Sequence, residues 1–121
     1  MIVRANTGYR EFGSVSGYAH QVGIAVPLKT SETTGLPSPE EDAQLGEIEE
    51  ILCGSLEQRA ESLFVGVITT GGMREFVFYT RNPRSVQHLF ETLRGRITSH
   101  ELQLMIQPDM TWDVYAQLNP S

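Results

Sequence analysis

The sequence is poor in several features that would indicate particular classes of protein. Its 121 residues include one cysteine, one tryptophan and only nine basic residues. The lone cysteine, Cys53, excludes an internal disulfide and is typical of a reducing compartment. No window approaches the roughly 20 apolar residues that span a bilayer, and the opening "MIVRANTGYREFG" lacks the apolar run of an export signal. We therefore expect one cytoplasmic domain with no membrane partner.

Basic charge is also scarce, since 15 acidic residues give a formal net charge of -6. Such a surface repels nucleic-acid phosphates, so we expect no nucleic-acid partner. The run "MREFVFYT" shares only its aromatic spacing with the RNA-binding strand of an RNA-recognition motif, and "HQVGIAVPL" supplies no aromatic residue. An acidic surface favours basic partners, although it is equally typical of plain solubility.

What the sequence does contain is a regular succession of strand and helix patterns. Apolar residues alternate in "HQVGIAVPL" and "ELQLMIQ", as in strands. Two helices are indicated by Ser38-Pro39 and Asn82-Pro83, each a capping residue followed by a proline suited to the first helical position. Glu41 completes a Ser-x-x-Glu capping box, and Gly95 is the expected exit of the second helix. The apolar stripes of the two helices are Leu45, Ile48, Leu52 and Leu56, and Val86, Leu89, Phe90 and Leu93.

The pair Gly71-Gly72 lies between two β-rich runs, "SLFVGVITT" and "MREFVFYT". A phosphate-binding loop needs glycines between a strand and a helix, followed by lysine. Here both neighbours are strands, so the pair predicts a tight hairpin turn.

The resulting order β-α-β-β-α-β predicts an α+β fold, a ferredoxin-like sandwich with a four-stranded antiparallel sheet and two helices on one face. We expect a single domain over residues 1–121. Within it, residues 1–18 form an irregular N-terminal segment, 19–107 the sandwich core, and 108–121 a C-terminal tail packed on the domain.

The second face of the sheet is predicted to be unusually apolar. A two-residue turn pairs Thr70 with Met73, which sets Val65 opposite Phe78 under the helices. The other face then carries a candidate interaction surface, made of Phe64, Ile68, Val77, Tyr79 and Met105. The N-terminal segment, the tail at Trp112–Tyr115, a second copy of the chain or another protein would cover it.

No catalytic constellation is recognisable in the sequence. His20, His88 and His100 lack metal-ligand spacing and are expected at the surface or at edges, so we predict no metal and no cofactor. Cys53 lies beside a helical stripe and is expected to fill apolar space. The arginines Arg4, Arg10, Arg74 and Arg81 would bind an anion if the fold gathered them. The candidate ligand site is Arg74, Glu75 and Tyr79, beside the small residues Gly23 and Gly66.

Several motifs together resemble those of one bacterial family, the domain of unknown function numbered 695. The resemblance spans Tyr18 to Tyr115. It implies a regulatory role, because some members carry a neighbouring domain similar to the protein inhibitor of ribonuclease E. It implies no catalytic residues. The residues that carry it are Gly35, Pro37, Glu49, Thr70, Gly72, Arg74, Glu75, Tyr79, Trp112 and Tyr115.

Two hypotheses about function follow. The first is a non-enzymatic interaction or regulatory module whose partner is another protein or a second copy of the chain. The alternative is a domain that binds an anionic metabolite, or an enzyme, with its site around Arg74, Glu75 and Tyr79.

Overall fold

The computed structural model describes residues 2–29 and 37–118. Within them lie the strands β1 (Ile2–Ala5), β2 (His20–Pro27), β3 (Ser62–Thr70), β4 (Met73–Thr80) and β5 (Gln103–Pro108). The helices are α1 (Pro39–Arg59), α2 (Pro83–Arg96) and α3 (Asp113–Leu118), and Thr7–Tyr9 form a 3-10 turn. The predicted loop around Gly35 falls mostly outside the described residues.

The strands form one antiparallel sheet in the order β1-β3-β4-β2-β5. Over the described residues the fold is therefore α+β, with five strands and three helices instead of the expected four and two. The fifth strand comes from the N-terminal segment, which we expected to be irregular. Its residues Ile2–Ala5 pair with β3, and the amide of Asn6 extends the pairing by donating to the Val65 carbonyl at 2.8 Å.

Helix capping follows the sequence prediction at both long helices. The Ser38 hydroxyl accepts from the Glu41 amide at 3.2 Å, and the Asn82 side chain accepts from the Ser85 amide at 3.1 Å. Prolines occupy the first turn in both cases. The predicted exit at Gly95 is wrong, because α2 continues to Arg96 and its C-cap is Ile97.

The main core lies between the sheet and the helices α1 and α2. Both predicted helical stripes are buried there, against Val22, Ile24 and Phe76 of the sheet. The hairpin prediction is also confirmed, since Thr70 pairs with Met73 and Gly72 has φ of +86°. In that left-handed region glycine avoids the penalty of a side chain.

A β-bulge overturns part of the predicted register. Val67 faces Phe76 as expected, but beyond Gly66 the extra residue Val65 leaves Phe64, and not Val65, opposite Phe78. A bulge shifts the alternation of side chains by one residue. Phe64 therefore packs with the helices, 5.3 Å from the Phe78 ring, whereas Val65 turns to the second face of the sheet.

Candidate functional site: the open half of the second sheet face

Half of the second sheet face is covered by the two ends of the chain. The indole of Trp112 stacks on the Tyr79 ring, with centroids 4.1 Å and planes 12° apart. Tyr115 of α3 and Tyr9 of the N-terminal segment pack around the indole in edge-to-face contacts. These residues join Val65 and Val77 in a second core.

Hydrogen bonds lock this cover in place. The Trp112 indole donates to the Tyr18 carbonyl at 2.8 Å, and the Tyr115 hydroxyl donates to the Asn6 carbonyl at 2.6 Å. The Tyr79 hydroxyl donates to Asp109 at 2.7 Å and accepts from the Tyr115 amide at 3.2 Å. The cover is thus fastened to the sheet as well as packed on it.

The cover changes the predicted interaction surface. Val77 and Tyr79 are 0% exposed beneath it, and the bulge turns Phe64 toward the helices. Ile68 is half-buried and Met105 is 44% exposed, so these two members of the predicted set remain accessible. The rings of the tail and the N-terminal segment cover this part of the sheet through stacked and edge-to-face contacts, the arrangements that aromatic pairs prefer.

Beyond the cover, one row of cross-strand neighbours crosses all five strands. Reading from β1 to β5, Val3 pairs with Ile68, Ile68 with Glu75, Glu75 with Ala25 and Ala25 with Gln103. Met105 lies in the next row on the same face, opposite Gly23. We call Val3, Ala25, Ile68, Glu75 and Met105 the open patch. Its apolar members surround a single carboxylate.

Glu75 is the unusual member of the open patch. Its side chain leans over Gly23, where a Cβ atom would collide with the carboxylate and lie 3.4 Å from the Met105 methyl. The side chain is half-buried, and burial raises the pKa of the Glu75 carboxyl above its ordinary value. Within the described part of the chain, no hydrogen bond or ion pair compensates this carboxylate.

The three members of the predicted ligand site do not come together. Arg74 points to the helix side, where it donates to Thr69 at 3.0 Å and meets Asp42 at 3.3 Å. Glu75 points to the other face because neighbouring strand residues alternate. The Tyr79 hydroxyl is occupied by Asp109 and the Tyr115 amide.

The family described as "Family of unknown function (DUF695)" matches residues 1–118 of the chain. The chain belongs to DUF695. No curated protein and no solved structure matches it.

In this DUF695 domain, several of the residues that carried the family resemblance make contacts within the fold. Glu49 of α1 forms an ion pair with Arg4 of β1, and Gly72 makes the hairpin turn. Tyr79 and Trp112 form the centre of the second core. Gly35 lies outside the described residues. The contacts of Glu49, Tyr79 and Trp112 and the turn at Gly72 are structural.

The remaining arginines are dispersed. Arg4 and Arg74 line one cleft of about 360 Å³, where Glu49 and Asp42 respectively pair with them. Arg81 meets Glu61 at 3.9 Å and lies 5.8 Å from the centre of the Tyr18 ring. Arg10 lies in the N-terminal segment. The fold therefore does not gather the four arginines into one anion site.

A buried polar cluster of the DUF695 domain was missed by the sequence analysis. His100, expected at the surface, is buried, and its Nε2 lies 2.6 Å from Glu41 Oε2. The same oxygen accepts from the Lys29 amide at 2.7 Å, and His100 Nδ1 lies 3.0 Å from the Ser99 hydroxyl. No local pattern predicts this cluster, because Glu41 and His100 are 59 positions apart.

Two further observations concern the cysteine and the side chains that could hold a metal ion. Burial, followed by the charges of Glu49 and Glu57, raises the pKa of the Cys53 thiol to about 12, so the thiol remains protonated. In the ranges 2–29 and 37–118, no three histidine, cysteine or carboxylate side chains group to hold a metal ion. None of the helices described is long and apolar enough to cross a membrane.

Proposed function

We propose that this DUF695 domain is a non-enzymatic interaction module that binds a basic segment of another protein on the open patch. The observation that carries the proposal is Glu75, a half-buried carboxylate with no partner among the described residues, set among apolar neighbours. A partially desolvated charge is costly unless it is paired. A lysine or arginine side chain from a partner would compensate it.

The neighbours of Glu75 support an interface around that contact. Val3 is 36% and Met105 44% exposed, and Ile68 and Ala25 are half-buried. The aliphatic part of a lysine or arginine side chain packs well on such surfaces while its charged end reaches a carboxylate. The net charge of -6 attracts a basic partner over longer range.

The same arrangement disfavours a symmetric dimer through the open patch. In a two-fold interface the same surface meets itself. Two Glu75 carboxylates would then approach each other near the axis, and like charges in a desolvated interface repel. A basic partner is therefore favoured over a second copy of the chain.

The test uses the wild-type domain and the variants Glu75→Gln and Met105→Ser as baits in a lysate of the source cells. We expect wild type to retain a partner at low salt and to lose it at high salt. A peptide from the basic segment of that partner is then titrated calorimetrically. Glu75→Gln should raise its Kd at least about tenfold, the usual result of removing one member of an interfacial charge pair.

The control is Met110→Ser, which removes an equally large side chain that is 77% exposed outside the patch. It should leave the Kd unchanged. Val77→Asp is unsuitable as a probe, because Val77 is buried and the change would disrupt the second core. Equal retention of the partner by wild type, Glu75→Gln and Met105→Ser, all folded, would reject the proposal.

Two further assignments complete this proposal. We infer that β2 to β5, together with α1 and α2, form a ferredoxin-like sandwich, and that β1 and α3 are additions to it. The inference is supported by the strand order β3-β4-β2-β5, in which all neighbouring strands are antiparallel. We also assign the domain to the cytoplasm, which the single cysteine supports.

A further inference from the structure

A second feature lies in the helical layer, away from the open patch. A cavity of about 580 Å³ opens between Arg59, the last residue of α1, and one side of α2. Arg84, His88 and Thr92 recur at every fourth position of α2 and therefore share that side. Ser85 and the largely buried Leu89 also line the cavity. Its volume is within the usual range for small-molecule sites, roughly 300–1,000 Å³.

The charge of this cavity is opposite to that of the protein as a whole. Among the described residues, the lining includes two basic residues, Arg59 and Arg84, and no acidic residue. Arg4, Arg74 and Arg81 each meet a carboxylate within 4 Å, whereas Arg59 and Arg84 meet none among the described residues. The cavity thus concentrates uncompensated positive charge in a chain of net charge -6.

Local helix electrostatics do not explain Arg84. A cation is favoured in the last turn of a helix, where Arg59 lies, and is disfavoured in the first turn. Arg84 lies in the first turn of α2, which contains no acidic residue, whereas the first turn of α1 contains Glu40, Glu41 and Asp42. An anion bound beside Arg84 would remove this unfavourable interaction.

We propose that this cavity binds a small molecule through a phosphate group. The guanidinium groups of Arg59 and Arg84 match the oxygens of a phosphate and form paired hydrogen bonds with them. The Ser85 hydroxyl and the His88 imidazole supply further donors. Leu89 provides an apolar wall for the organic part of a phosphate monoester. This site is independent of the open patch, because it lies over the helices and not on the second sheet face.

The test is a titration of the ¹⁵N-labelled domain with phenyl phosphate, followed by amide chemical shifts at constant ionic strength. We expect saturable shifts confined to the amides around Arg59 and residues 82–92. Inorganic phosphate should produce the same pattern with weaker binding, since it leaves Leu89 uncontacted. Phenol, which lacks the negative charge, should produce no saturable chemical-shift changes.

Variants separate this site from general attraction of anions. Arg84→Gln and Arg59→Gln should each raise the Kd for phenyl phosphate by about tenfold or more, as expected for loss of a charged hydrogen bond. Arg94→Gln makes the same charge change on the same helix, but Arg94 does not line the cavity, so the Kd should stay within about twofold. Non-saturating shifts, or an equal effect of Arg84→Gln and Arg94→Gln, would overturn the proposal.

Discussion

His100 and Glu41 are joined by a 2.6 Å contact between Nε2 and Oε2, and both side chains are buried. Because the same Glu41 oxygen accepts from the Lys29 amide, one carboxylate connects the chain after β2, the first turn of α1 and the segment before β5. We call the contacts of Glu41 with His100 and Lys29 the clasp. The Ser38 hydroxyl accepts from the Glu41 amide, so the N-cap of α1 and the clasp share Glu41.

His100→Ala should lower the free energy of unfolding by about 3 kcal/mol, because it leaves a buried carboxylate without its imidazole partner. Urea denaturation followed by circular dichroism measures the change. His88→Ala is the matched control, since His88 is exposed, and it should change stability by less than about 0.5 kcal/mol. Similar losses in both variants would show that the clasp does not stabilise the fold.

Tyr79→Phe should cost about 1–3 kcal/mol at neutral pH, because the change removes a hydroxyl that bonds both Asp109 and the Tyr115 amide. Burial opposes ionisation of Asp109, but hydrogen bonds from Tyr79 and from the Val114 and Asp113 amides outweigh it and lower the pKa of Asp109. The stabilisation that the bond between Tyr79 and ionised Asp109 provides is therefore complete above the ordinary aspartate pKa of 3.8. It is lost as the pH falls through the lowered pKa of Asp109.

Urea denaturation of wild type and Tyr79→Phe across the acidic range measures this dependence. The difference in stability should shrink below pH 3.8. A difference that stays constant with pH would show that Asp109 is not coupled to the Tyr79 hydroxyl.

Glu75→Gln should make the isolated domain more stable at neutral pH, the opposite of its expected effect on partner binding. Burial raises the pKa of Glu75 above its ordinary value of 4.5, so the folded state holds this proton more tightly than the unfolded state. The wild type therefore loses stability as pH rises from 4.5 through the raised pKa, and the glutamine variant lacks that loss.

Thermal melts at pH 4 and pH 7 measure the effect, with Glu101→Gln as the control because Glu101 is exposed. The stability advantage of Glu75→Gln should be present at the higher pH and small at the lower one. If Glu101→Gln raised the stability by the same amount, the effect would come from the change in net charge and not from the burial of Glu75.

Gly66→Ala should detach β1 from the sheet. A Cβ at this position would lie 2.9 Å from the Arg4 carbonyl oxygen and 3.4 Å from Ala5 Cα, so the backbone of β1 would have to move. Amide hydrogen exchange in residues 2–6 should accelerate at least tenfold.

Gly54→Ala provides the contrast for that measurement. No atom of its surroundings lies within 4 Å of the added Cβ, and the residue is within α1. It should stabilise the protein by about 0.5–1 kcal/mol, because alanine is the better helix former. For Gly66→Ala, amide hydrogen exchange in β1 at the wild-type rate would show instead that the strand accommodates the added methyl group.

The parts of the fold that were predictable from sequence depend on neighbouring residues. The caps at Ser38 and Asn82, the turn at Gly72 and the helical stripes are all determined within a few positions of the chain. The bulge at Val65 is less determined, since "SLFVGVITT" is apolar on both faces and a shift of one residue still places apolar side chains on each; Gly66 beside it is the local signal. Strand β1 is also hard to detect, because only four residues pair there.

The candidate sites were less predictable because they depend on distant residues. Glu75 becomes distinctive only when Gly23 lies beside it and the aromatic cover stops short of it. The basic cavity requires that Arg59 of α1 and Arg84 of α2 line the same space, although they are distant in sequence. Arg74 and Glu75 lie on opposite faces because neighbouring residues of β4 alternate, and this arrangement separates the members of the predicted ligand site.

The stack of Trp112 on Tyr79 has a consequence for biosynthesis. The cover of the second face combines Tyr9 and Tyr18, made first, with Trp112 and Tyr115, made about a hundred residues later. During translation at about 5–20 residues per second, Val77 and Tyr79 are therefore synthesised seconds before the rings that bury them. The second core cannot be complete before Trp112 and Tyr115 have been made, and Trp112, the single tryptophan of the sequence, lies where its fluorescence reports the closure of that core.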